Sequence, residues 1–87
     1  MIITLQKFGT TLISRQTGRE AYSAFLPSIN TVPDGEIIEV DFSGVKVLTP
    51  SWADEFISTL AREYPGQIIL LPSDNASVKA SLEFVKI

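Results

Sequence analysis

Between Glu36 and Leu71 the chain alternates in a way that few folds accommodate. Ile38, Val40 and Phe42 are interleaved with Glu39 and Asp41, the period of two of a strand with one covered face. From Ser51 to Tyr64 the period lengthens. Trp52, Ala53, Phe56, Ile57, Leu60, Ala61 and Tyr64 fall on one stripe of a helix. Asp54, Glu55, Ser58, Thr59, Arg62 and Glu63 occupy the other side, and all are polar. Pro65-Gly66 stops that helix, and Gln67-Ile-Ile-Leu-Leu71 follows as an apolar run of the kind a sheet covers on both faces. A strand, a helix and a strand of these lengths close as a right-handed crossover between parallel strands. The segment predicts an α/β fold with a mostly parallel sheet packed by helices.

The flanking residues extend the same order. Ile2 to Gln6 reads as a short strand, Phe8-Gly9 as a turn and Thr11 to Ile13 as a second strand, together a hairpin. Ser14 is an N-cap for a first helix, and Thr17-Gly-Arg-Glu20 also fits a capping box. Ala21, Tyr22, Phe25, Leu26 and Ile29 make its apolar stripe, while Pro27 ends or kinks the helix at Leu26. Val32-Pro-Asp-Gly35 is a turn. After Gln67 to Leu71, Ser73 or Asp74 caps a last short helix with Val78, Leu82 and Val85 on one side. The predicted order is β-β-α-β-α-β-α in a single domain over residues 1–87, near the size at which one core only just suffices. Parallel strands feeding helices would bring the helix starts near Ser14, Ser51 and Asp74 to one edge, where open α/β sheets carry their sites.

Between Val40 and Phe56 a strand ends at Asp41 and Phe42, the chain turns at Ser43-Gly44, and a helix opens at Pro50-Ser51. Val45, Val47 and Leu48 anchor the connection, so it reads as a packed loop that presents the Ser51 hydroxyl at a helix start. The chain has no cysteine and no histidine, which removes disulfides, thiol nucleophiles, zinc fingers and imidazole acid–base chemistry. A net charge of −3 with no basic run argues against nucleic acid. No basic segment precedes a long apolar core at the start, and Ile68 to Leu71 is far too short to cross a bilayer, so a cytoplasmic protein without membrane contact is expected.

An enzyme built on Asp41, Asp54 or Glu55 would need an orienting partner and a water-excluding pocket. The isolated glycines at 9, 18, 35, 44 and 66 read as turn and spacing glycines and form no phosphate cradle. Asp54 and Glu55 stand in a first helical turn, where carboxylates favour the helix dipole. Asp41 is placed to bond the amides of the Ser43-Gly44 turn. No catalytic, metal or cofactor residue is assigned, and no cofactor is expected.

Ile13-Ser-Arg15 ahead of a helix, V-D-F-S-G-V from Val40 and S-W-A-D-E-F from Ser51 resemble the small bacterial STAS-like domain family of unknown function. That family is similar to the STAS domains of anti-sigma factor antagonists, in which a serine of a D-S-S-G-L turn is phosphorylated by a partner kinase. Carried across, that serine falls on Ser51, with Thr49-Pro50 before it and Trp52 where the antagonists have glycine. The resemblance implies a non-enzymatic signalling module that docks on a histidine-kinase-type ATPase and is switched by phosphorylation at Ser51. The surface it implies comprises Ser14, Arg15, Thr49, Pro50, Trp52, Asp54 and Glu55. Residue by residue, other readings stay open. Ser51 can cap its helix through Ser-Trp-Ala-Asp54, Trp52 can be core, and Arg15 can be a solvated side chain or an anion receiver. The competing functions are an unphosphorylated accessory subunit of a complex and, further off, a small carboxylate-based hydrolase.

Overall fold

Five short strands pair in parallel in the computed structural model, which describes residues 1–85. β1 (Ile2–Thr4) lies beside β3 (Ile38–Asp41), and β3 lies beside β5 (Ile68–Leu70), giving the order β1-β3-β5. β2 (Thr11–Leu12) pairs with β4 (Val47–Leu48) in a separate two-stranded sheet. α1 (Arg15–Ile29) joins β2 to β3. α2 (Pro50–Ala53) runs through a π-helical stretch, Asp54–Ser58, into α3 (Thr59–Glu63). α4 (Ala76–Leu82) follows β5. The parallel α/β architecture is the predicted one.

The predicted hairpin is replaced by something less local. β1 and β2 do not pair with each other; each takes a parallel partner from the β3–β4 run. A 3-10 helix, Leu5–Phe8, separates β1 from β2, while the Ser43-Gly44 turn separates β3 from β4. The partner offset falls from 37 at Thr4↔Asp41 to 36 at Thr11↔Val47, because the 3-10 helix takes up one more residue than the turn opposite. The turn signal at Phe8-Gly9 was real. However, the Phe8 ring is drawn into the core, 5.8 Å from Phe25 and 5.2 Å from Phe56 between ring centroids.

Ile3, Ile38 and Val40 of the sheet are buried beneath Phe25 and Ile29 of α1 and Trp52, Phe56 and Leu60 of the long helix. α1 runs past Pro27 to Ile29, because the proline sits on its exposed side and the buried Ile29 anchors the last turn. An α-helix rotates residues four apart by about 40°. The wider π turn reduces that drift, so Trp52, Phe56 and Leu60 all stay on the core side. β5 is an edge strand with Ile69 46% exposed, so the apolar run Gln67 to Leu71 is not covered on both faces. A continuous apolar run does not record whether its strand is central or at an edge.

Candidate functional site

The starts of α1 and α2 stand side by side, joined by a hydroxyl. Thr49 Oγ1 accepts the Trp52 amide at 3.3 Å and so caps α2, and the same hydroxyl donates to the Ile13 carbonyl at the entrance to α1. Ser14 caps α1 as predicted: its Oγ accepts the Thr17 amide at 3.1 Å and lies 2.9 Å from Thr17 Oγ1. Pro50 takes the first helical position, where its missing N–H costs nothing. That places the cap at Thr49, two residues ahead of the one expected at Ser51. Ser51 is therefore the second residue of α2, half-buried, and its hydroxyl makes no hydrogen bond among the described residues.

Asparagine, not Ser73 or Asp74, caps the third helix start. Asn75 Oδ1 accepts the Val78 amide at 3.0 Å, and its amide group donates to the Val45 and Lys46 carbonyls at 3.2 and 3.0 Å. Ser77 and Ser81 take the place of a strand beside β4. The Leu48 amide donates to Ser77 Oγ at 3.0 Å, and the Leu48 carbonyl accepts from both serine hydroxyls, at 3.0 and 2.5 Å. Sequence reasoning missed all three residues, although Asn75 just before a helical stripe is an N-cap signal.

One turn into α2 a charged cluster bridges the two helices. Arg15 Nη1 donates to Asp54 Oδ2 at 2.9 Å and Glu55 Oε1 at 3.1 Å, and Arg19 Nη2 reaches Glu55 Oε1 at 3.4 Å. The Arg15 guanidinium holds both carboxyls below their ordinary range, with Arg19 adding to the effect on Glu55. The two carboxylates in turn raise Arg15. Gly18 makes this approach available: a Cβ there would lie 2.9 Å from the Trp52 carbonyl oxygen and 3.1 Å from Glu55 Cβ. Arg15 is thus half exposed but not a free anion receiver: its Nη1 is held by two carboxylates of the neighbouring helix.

Trp52 does not belong to this surface. It is 1% exposed and stacks on Phe56 at 5.1 Å, so the helical stripe places it correctly and the partner-anchor reading is withdrawn. Asp41 does what the turn chemistry predicts. Its Oδ1 accepts the Ser43 amide at 3.0 Å and the Ser43 hydroxyl at 2.8 Å, and these bonds, the amide first, lower its pKa. Gly44 completes the turn at φ 82°, a backbone region that side chains other than glycine rarely enter.

Asp54 and Glu55 are held ionised, so neither is poised to donate a proton near neutrality. Their lowered pKa values also set a pH dependence. The ion pairs stabilise the fold above the ordinary values of 3.8 and 4.5, and that contribution is lost as the pH falls through the lowered folded-state values. Arg15→Met should therefore flatten the decline of melting temperature between about pH 7 and pH 3. Melting curves of the two proteins at matched ionic strength check this, and equal slopes would contradict it.

A family model described as a STAS-like domain of unknown function matches residues 18–79. Neither a curated protein nor a solved structure matches the chain.

Proposed function

The chain belongs to the STAS-like domain family of unknown function, and from there we propose that it is a non-enzymatic signalling module that docks on a histidine-kinase-type ATPase through the edge where α1 and α2 begin. Ser51 is the hydroxyl that this partner phosphorylates. One observation carries the reading. The hydroxyls of Ser14, Thr17 and Thr49 at this edge are all committed to internal hydrogen bonds, whereas that of Ser51 is not. Pro50 beside it is exposed, and Arg15 and Asp54 form a half-exposed charged rim. No helix among the described residues is long and apolar enough to cross a membrane, and the proposed setting is the cytoplasm.

Electrostatics decides how such a switch would act. A phosphate adds about −1.5 to −2 charges in the first turn, where the helix dipole favours it by about 0.3–1 kcal/mol. Asp54 and Glu55 oppose it, but their charge is already compensated by Arg15 and Arg19. The fold should hardly register the change, while an apolar or acidic surface on the partner would meet new negative charge. Ser51→Asp is expected to melt within a few degrees of Ser51→Ala and to bind the ATPase at least about tenfold more weakly, a difference of roughly 1.4 kcal/mol. Equal binding of the two variants would sink the switch.

The half-burial of Ser51 favours a second reading, an accessory subunit that docks on the same edge without being modified. Incubation with the ATPase partner and labelled ATP separates the two. Label that disappears in Ser51→Ala supports the switch, and absence of label from a complex that still forms supports the accessory subunit.

A further inference from the structure

The far ends of the same helices enclose a different feature. A pocket of about 350 Å³ lies among Tyr22, Leu26 and Asn30 of α1 and its C-cap and Glu63 and Tyr64 at the end of α3. This is the small end of the range for ligand sites. Leu26 and the two phenol rings give it apolar walls, and the Tyr22 ring is fixed edge-on against Phe56 at 5.7 Å. The polar groups on its wall are acceptors or can accept. The Glu63 carboxylate forms no ion pair among the described residues. Tyr64 donates its proton to the Ile29 carbonyl at 3.3 Å, which leaves its oxygen lone pairs and the Asn30 Oδ1, 3.5 Å away, able to accept. The Tyr22 hydroxyl is buried and has no hydrogen-bond partner among the described residues.

Two features of the backbone point the same way. α1 and α3 both end at this pocket, and helix C-termini carry partial negative charge. α1 has no basic residue in its last turn to compensate it, whereas α3 carries Arg62 in its last turn, bonded to Thr59 Oγ1 at 3.3 Å, so the uncompensated field is that of α1. A neutral or anionic guest gains nothing from that field. A planar guanidinium on an apolar stem suits the site: its donors can meet Glu63, Asn30 and the Tyr64 oxygen, its face can lie on an aromatic ring, and its stem can cover Leu26.

We propose that this pocket is a binding site for a guanidinium group carried on an aliphatic stem, either the arginine side chain of a protein partner or a free alkylguanidine. It is independent of the docking edge, since no residue is shared.

The test is a titration of the ¹⁵N-labelled protein with N-acetyl-argininamide, with the neutral isostere N-acetyl-citrullinamide as control. Saturable shifts at Tyr22, Leu26, Asn30, Glu63 and Tyr64 are expected, with a roughly millimolar dissociation constant for so small a probe. The citrulline compound and the Glu63→Gln protein should each bind at least about tenfold more weakly. Tyr22→Phe should melt no lower than wild type, because the buried hydroxyl it removes has no partner among the described residues, and should bind the arginine probe as wild type does. Shifts that do not saturate, equal binding of the citrulline compound, or an unchanged affinity in Glu63→Gln would overturn the assignment. Agmatine and an arginine-containing pentapeptide then identify the source: tighter binding of the peptide assigns the site to a protein partner, and tighter binding of agmatine to a free alkylguanidine.

Discussion

Phe56→Ala should abolish the cooperative melting transition or lower its midpoint by roughly 15–30 °C. Phe56 is fully buried, with ring centroids of Trp52 at 5.1 Å, Phe8 at 5.2 Å and Tyr22 at 5.7 Å. Truncating such a residue costs about 3–5 kcal/mol, because the transfer free energy is lost and the surrounding rings cannot collapse into the space. A domain of this size has little more than that to lose. Phe56→Leu, which keeps most of the volume, should retain a cooperative transition at reduced temperature. Calorimetry of the three proteins checks the expectation. A Phe56→Ala protein melting within a few degrees of wild type would remove the long helix from the core.

Gly18→Val should come close to the same effect by the opposite route. The added Cβ would sit 2.9 Å from the Trp52 carbonyl oxygen and 3.2 Å from its Cα, and both are backbone atoms that cannot swing aside. α1 and α2 would have to separate, which also pulls Arg15 and Arg19 away from Asp54 and Glu55. Overpacking of this kind costs about 1–3 kcal/mol for one extra carbon and more for a branched side chain. Gly18→Ala makes the sign informative. On helix propensity alone it should stabilise by up to about 1 kcal/mol. A destabilised Gly18→Ala protein supports the close helix crossing, and a stabilised one contradicts it.

The parts of this fold that could be read from the sequence are those written in local periodicity. Trp52, Ala53, Phe56, Ile57 and Leu60 recur on one stripe because one face of their helix is covered, and all five are buried. The same holds for Ile38, Val40 and Phe42. What failed was non-local. Phe8-Gly9 signals a turn correctly, but nothing nearby says that Thr11 and Leu12 pair with Val47 and Leu48 and leave Ile2 to Thr4 to another partner. Strands of two residues carry no pattern long enough to record their neighbours.

The site divides the same way. Ser14 and Asp41 were legible because capping and turn formation are short-range chemistry. Between Thr49 and Ser51, both able to cap, Pro50 at the first helical position decides for Thr49. Arg15, Asp54 and Glu55 were recognised as residues of one edge, yet that they satisfy each other depends on Gly18 letting two helices touch across 39 and 40 positions of sequence. Trp52 is the case where composition at a family position misled and periodicity did not.

The central claim, that the edge where α1 and α2 begin docks on an ATPase, is tested most directly by site-specific photo-crosslinking in the native cell. A photoreactive residue replaces the exposed Pro50 at that edge or, as a control, the exposed Asp34 in the turn after α1. The probe at position 50 should capture a histidine-kinase-type ATPase, the probe at position 34 should not, and the capture from position 50 should weaken when Ser51→Asp is added. Capture of the ATPase from position 34 but not from position 50, or its absence from both, would contradict the claim.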